Sequence, residues 1–274
     1  MTPFDGDRPA EPESPPPTSG SGGDEPQFHP LPSHREPIFN IPPMVLALLA
    51  IMLAVMACRV LLSEDADTVF VLTLALIPAR LAGYALELPG GELAAATQFL
   101  THMFVHGDAM HLAFNSASLL AFAGALEKRI GPWRLLLFFL VCGFAGAITF
   151  LVLNPALMAP MIGASGAIAG LMGGVMRLFF SAMEMPGGLR RLNSAPRSIP
   201  LKPFSAALRD TRLQAVTVSF VLMNIAAMVG FGDINASNSI AWEAHIGGYI
   251  AGLCLFGFFD IAPRHSESSE YPNA

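Results

Sequence analysis

Four polar side chains stand inside otherwise apolar stretches of the sequence: Ser165, His245, His111 and Asn115. Their types suffice for acyl transfer. An aliphatic hydroxyl is a weak nucleophile until an adjacent base takes its proton. A histidine can be that base, and an amide or a second imidazole can donate to the oxyanion that forms. Ser165 lies in Met161-Ile-Gly-Ala-Ser-Gly-Ala-Ile-Ala-Gly170, a run of small residues that opens an apolar segment reaching about Phe180. Gly163 and Gly166 bracket it, so no side chain crowds its oxygen. At a helix start, unpaired backbone N–H groups could hold a developing negative charge. Taken alone, the run reads more readily as a serine N-cap with glycines for close packing. What surrounds it decides.

The surrounding elements are membrane helices. Of the 274 residues 53% are hydrophobic and 13% charged, and several apolar runs are roughly twenty residues long, the length that crosses a bilayer as helix. The class expected is an all-α polytopic membrane protein. Six spans are read at 44–62, 108–126, 133–153, 163–180, 213–231 and 242–259. Segment 63–107 holds Ile77-Pro-Ala-Arg80 and Leu88-Pro-Gly-Gly91, which argue against a clean span. It reads as a structured loop lying partly in the membrane interface. Residues 1–42 are rich in Pro, Ser, Gly and acidic residues, which predicts a disordered tail before a membrane domain at 43–262. That tail is too long and too acidic for the basic region of a signal peptide, so the first span is expected to stay. Residues 263–274 are a second polar tail. Cys58, Cys142 and Cys254 fall far apart in apolar runs and read as small buried residues. The net charge of −6 comes mostly from the tails and gives no support for nucleic-acid binding.

Charge sets the orientation. With the N-terminus inside, Arg59 and Arg80 are the only two of the fifteen Lys and Arg residues on the outer side. The positive-inside rule is then satisfied by six spans with both termini cytoplasmic. A true span in 63–107 would invert everything downstream. In this arrangement spans two, four and six all begin at the outer face. His111 and Asn115, four apart on one helix face, Ser165, and His245 all lie in those first turns. Three helices thus place nucleophile, base and donor at one depth. Gly166, Gly170 and Gly174 in span four, and Gly248 and Gly252 in span six, recur every fourth residue. Small residues at that spacing let backbones approach, as a serine–histidine hydrogen bond requires, although glycine packing alone needs no catalysis. Glu243, two residues from His245, points to a different helix face, so a Ser–His dyad is expected rather than a triad.

Four motifs in order resemble the rhomboid family of intramembrane serine proteases. They are Thr101-His-Met-Phe-Val-His-Gly-Asp-Ala-Met-His-Leu-Ala-Phe-Asn115, Leu126-Glu-Lys-Arg-Ile-Gly131, Gly163-Ala-Ser-Gly166 and Ala244-His-Ile-Gly-Gly248. The resemblance covers about residues 97–257 and implies a six-helix rhomboid-like bundle. It implies Ser165 as nucleophile, His245 as general base, and Asn115 and His111 on the oxyanion side with the Ser165 backbone N–H. It also implies that Glu127 and Arg129 form a structural pair, and that 63–107 is the family's membrane-interface loop. Two positions depart. Thr97-Gln98 stands where many members carry Trp-Arg, and Ala169 where many carry an aromatic residue stacked on the histidine.

The expected function is therefore an intramembrane serine endopeptidase with no cofactor and no metal. It would act on single-span membrane proteins near the outer face, at a small residue where the helix unwinds easily. The expected location is the bacterial inner membrane. Competing chemistries are weaker. His102, His106 and His111 lack the HExxH pattern of a zinc protease. Gly230-Phe-Gly-Asp233 matches the pattern of intramembrane aspartyl proteases, but Asp260 is expected a bilayer away from Asp233, and Asp108, although outer, sits at a helix start in a hydrophilic loop, so no carboxylate dyad is expected. No repeat pair or broken helix points to a transporter. The alternative of a different class is a rhomboid-like scaffold or client-binding protein without proteolysis.

Overall fold

The computed structural model describes residues 41–230 and 241–260. The tails expected to be disordered and the segment 231–240, with Asp233, lie outside the described residues. The first helix, α1 (Pro43–Val60), follows Pro42 and carries proline at its first position, where a missing N–H costs nothing. Its next two N–H groups, of Met44 and Val45, donate to the Glu127 carboxylate at 3.0 Å each. An anion is favoured there, because the N–H groups are unpaired and the helix dipole is positive at that end.

The segment expected as a loop contains two helices. α2 (Glu64–Leu74) starts at Ser63, whose hydroxyl accepts from the Ala66 N–H, and carries Glu64, Asp65 and Asp67 in its first turn. That is a favourable helix start, which the prolines and glycines further on obscured. Two 3-10 turns, Pro78–Ala82 and Ala85–Glu87, absorb those residues, and α3 (Gly91–Thr101) follows. Arg80 lies at the centre of this segment, 2% exposed, donating to the carbonyls of Ala75, Leu72 and Pro89. Arg59, near the end of α1, makes a two-pronged ion pair with Asp67 at 2.7 and 2.8 Å and donates to the His106 carbonyl. It thereby ties α1 to α2 and to the chain entering the next span.

That span is α4 (Ala109–Ile130), with Asp108 as N-cap accepting from the His111 N–H at 2.8 Å. It is followed by α5 (Pro132–Leu153) and α6 (Ser165–Met183). α1, α4, α5 and α6 are long and apolar enough to cross a membrane by length and composition. Two more long helices, α9 (Thr211–Gly230) and α10 (Trp242–Phe259), complete an all-α bundle of six long helices among the described residues. Two short helices, α7 (Gly188–Ser194) and α8 (Phe204–Leu208), lie between α6 and α9.

α6 is the central helix. Of the residues in its apolar window 72% are buried, against 22% in α1, which faces outward along most of its length. α6 meets α10 backbone to backbone. A Cβ on Gly248 would collide with the Gly166 carbonyl, and one on Gly252 with the Gly170 carbonyl. Gly173, outside the every-fourth pattern, abuts the Tyr249 carbonyl and the Leu253 N–H in the same way. Large apolar side chains elsewhere stay exposed, such as Leu53 on α1, Val152 on α5 and Met223 on α9. That surface suits contact with lipid.

Glu127 and Arg129 are not partners of one another. Glu127 caps α1, whereas Arg129 forms a two-pronged pair with Asp260 at 2.9 and 2.7 Å and donates to the carbonyls of Pro196 and Ile199. The basic segment is also more than a run of charge. Lys202 and Arg212 both pair with Glu184 and Asp210 at 2.5–3.0 Å, and Asp210 accepts from the Arg212 N–H at the start of α9.

Candidate active site

Ser165 is the first residue of α6 and follows the turn at Gly163. Gly163 has φ +114°, a left-handed conformation that favours glycine. It also lies against His111, since a Cβ there would stand 2.7 Å from His111 Nε2 and 3.8 Å from Ser165 Oγ. The loop before it is held by the interface segment. Leu76 and Met161 exchange backbone hydrogen bonds at 2.8 and 3.0 Å, Ala79 donates to the Leu157 carbonyl, and the Gly163 N–H donates to the His102 carbonyl at 2.9 Å. Thr101 in turn donates to the Leu74 carbonyl at 2.7 Å. The Thr101-His102 pair is thus a brace between α3, the end of α2 and the loop carrying the serine. Gln98, one of the two departures, is fully buried and accepts the Ile77 N–H at 3.0 Å, which holds the same segment from inside.

Across the α6–α10 contact, Ser165 Oγ and His245 Nε2 are 2.7 Å apart. The other ring nitrogen, Nδ1, is 2.8 Å from Asn224 Oδ1 on α9. Ala169, the second departure, is buried in a cluster with Tyr249 and presents no ring to the imidazole. Glu243 is engaged elsewhere, accepting from Asn154 Nδ2 at 3.1 Å. On α4, His111 Nδ1 accepts from the Gly107 N–H at 3.4 Å. With Nδ1 accepting, the ring proton sits on Nε2, the nitrogen beside Gly163. Asn115 lies one turn further along the same face of α4, buried, its Nδ2 donating to the His111 carbonyl at 2.9 Å. The structure therefore brings Ser165, His245 and His111 together, with Asn115 beside them and its amide partly turned back onto its own helix.

His106 packs edge-on against His111, with ring centroids 5.1 Å apart. His102 Nδ1 is 2.8 Å from the Gln98 carbonyl. Burial pushes both the His102 and His106 imidazoles down to about 4, so they are neutral near pH 7. The His102 ring is held by the Gln98 carbonyl, whereas neither ring nitrogen of the buried His106 has a hydrogen-bond partner, and its contact is the His111 ring.

Reasoning from the sequence missed Asn224. The signal was present: an amide in the middle of an apolar span is costly unless it is partnered.

A chain of apolar helices with a serine and a histidine in contact at one end of the bundle defines a class of membrane protein with a buried polar site. The particular family follows from comparison. Residues 94–261, well over half the chain, match the Rhomboid domain family model, and the chain belongs to the rhomboid family. Among characterised proteins it is similar to Rhomboid protease GluP of Bacillus subtilis (strain 168), 30% identical over 156 residues, covering 57% of this chain and 24% of that one. It is also similar to the Putative rhomboid protease YdcA of the same organism, 37% identical over 105 residues, covering 38% of this chain and 51% of that one. Rhomboid-like protease 5 of Toxoplasma gondii is 28% identical over 164 residues, covering 60% and 16%. The chain thus spans about half, or less, of the length of these relatives.

Proposed function

We propose that this protein is an intramembrane serine endopeptidase that cleaves single-span membrane proteins near the outer face of the bilayer. The observation that carries the reading is the 2.7 Å contact between Ser165 Oγ and His245 Nε2 at the start of two helices packed through glycine. Family membership and relatives named as proteases support it.

In this reading His245 Nε2 takes the Ser165 proton as Oγ attacks the scissile carbonyl. Negative charge moves to the carbonyl oxygen. The backbone N–H of Ser165, at the first position of α6, has no partner within the helix and can donate to that oxygen. His111 Nε2–H and the second N–H of Asn115 add donors from α4. Collapse of the tetrahedral intermediate breaks the C–N bond, and His245 returns the proton to the leaving amine. A water, deprotonated by His245, then hydrolyses the acyl ester and regenerates Ser165. The orientation that places this site outward, with both termini in the cytoplasm of a bacterial inner membrane, rests on the distribution of Lys and Arg.

A fluorophosphonate probe tests the nucleophile. Such a probe reacts with a serine only where a base activates it and donors hold the adduct. Labelling of the detergent-solubilised protein should map to Ser165, vanish in Ser165→Ala and fall sharply in His245→Ala. A folded parent that is not labelled between pH ~6 and 9, where a neutral histidine can act, points to the scaffold reading instead.

A further inference from the structure

Asn224 has no role in the chemistry set out above, yet it is one of the few buried polar residues of the bundle, 8% exposed in the middle of α9. Its amide is fixed in orientation. Nδ2 donates to the Phe220 carbonyl one turn earlier at 2.8 Å, so the opposite atom, Oδ1, is the one that faces His245 Nδ1 at 2.8 Å. A carbonyl oxygen only accepts, hence Nδ1 must carry the imidazole proton. Nε2 then holds a lone pair, and the 2.7 Å contact with Ser165 is a hydrogen bond donated by the hydroxyl. One hydrogen-bond chain, Phe220 carbonyl to Asn224 to His245 to Ser165, leaves the imidazole one tautomer, and it is the one a general base needs.

The contact is part of a stripe. Thr217, Phe220 and Asn224 follow the helical repeat along one face of α9. Thr217 donates to the Leu213 carbonyl at 2.8 Å, so its oxygen is left to accept from the Tyr249 hydroxyl, also at 2.8 Å. The Phe220 ring stacks on the Tyr249 ring with centroids 4.7 Å apart. Tyr249 is one turn beyond His245 on α10. Hydroxyl, ring and amide thus fix the depth and rotation of α9 against α10 within two turns of the imidazole. The amide is held in register by two contacts that touch no reacting atom.

We infer that Asn224 is a positioning residue, which holds His245 in the Nδ1–H tautomer and orients its Nε2 toward Ser165. The inference rests on the protease reading for its catalytic consequence, but not for its geometric content. Asn224→Ala should leave KM nearly unchanged and lower kcat by about 10²-fold, the scale expected when a base is misoriented. Asn224→Asp keeps the acceptor and adds a negative charge that favours the imidazolium. It should retain most of the rate but move the acidic limb of the pH–rate profile upward.

The deciding measurement is ¹⁵N NMR of histidine-labelled protein in detergent, with His245 assigned from a His245→Gln control. The parent should show His245 protonated at Nδ1. Asn224→Ala should show loss of that tautomer's dominance, and Asn224→Asp should restore it. An unchanged tautomer in Asn224→Ala, in a variant that keeps the parental thermal midpoint, overturns the inference whatever the cleavage assay shows. If the tautomer shifts as described while the parent cleaves nothing, the alignment by Asn224 stands and the protease reading fails.

Discussion

The backbone N–H of Gly163 donates to the carbonyl of His102 at 2.9 Å, joining the interface segment to the turn that presents Ser165. Two constraints meet at this glycine: a left-handed φ of +114° and the His111 ring against its Cα. Gly163→Ala must violate both. We expect it to cost about 1–3 kcal/mol of stability, the scale of a strained backbone position. It should also lower fluorophosphonate reactivity by more than tenfold in the molecules that remain folded. Thermal unfolding in detergent together with labelling kinetics checks this. A parental labelling rate would show that the turn tolerates a side chain.

Asn115 is expected to donate to charge that develops only during reaction. Removing one such donor typically costs roughly 10²–10³ in kcat. Asn115→Ala should do so with little change in thermal midpoint, because the His111 carbonyl it now occupies keeps its place in the helix ladder. Single-turnover cleavage in lipid gives the rate. A variant that turns over like the parent would leave the oxyanion to His111 and the backbone.

The Arg129–Asp260 pair is almost wholly buried, with side chains 1% and 2% exposed. Truncating one partner leaves the other charge without its counter-ion, which typically costs about 3–5 kcal/mol. Asp260→Ala should therefore lower the unfolding midpoint markedly. The pair joins the ends of α4 and α10 opposite to those that carry His111 and His245. The labelling rate per folded molecule should accordingly be unchanged. Loss of labelling without loss of stability would contradict this division between the two ends.

Acid should weaken the ion cluster at the start of α9. Arg212 and Lys202 beside Asp210 hold its carboxyl well below the usual carboxylate range, and Lys202 and Arg212 lower that of Glu184. A carboxyl depressed in the fold contributes stability above its unfolded value, about 3.9 for Asp, and loses it as pH falls further. The stability deficit of Asp210→Asn relative to the parent should thus be full at pH 7 and shrink below about pH 4. Equal deficits at pH 7 and pH 3 would show that the deficit does not come from the carboxylate charge, since asparagine can still accept from the Arg212 N–H.

The six long helices were legible because apolar length is a strong signal, and their ends fell within a few residues of the expected ones. α4 runs on to Ile130 because Glu127 and Arg129 find partners that let a charged turn continue. Ser165, His245, His111 and Asn115 were legible as polar residues at one expected depth. The Ser165–His245 contact was expected from them; the partner of the other imidazole nitrogen was not. Helix rotation decides that Asn224, and not Glu243, reaches the free nitrogen of His245, and no spacing along the chain reports the rotation of α9 against α10. The same holds for Glu127, which seats on a helix start some eighty residues earlier in the sequence. In segment 63–107, prolines and glycines that correctly excluded a span also hid two short helices, since they mark the turns between them.

The central claim is that Ser165 and His245 together break a peptide bond within the membrane. The most direct measurement reconstitutes the full chain in liposomes with a single-span reporter and locates the cut by mass spectrometry of the products. The account predicts cleavage inside or at the edge of the reporter's membrane segment by the parent, and none by Ser165→Ala or His245→Ala, both folded. Cleavage that persists in Ser165→Ala, or a folded parent that leaves every reporter intact, would contradict it.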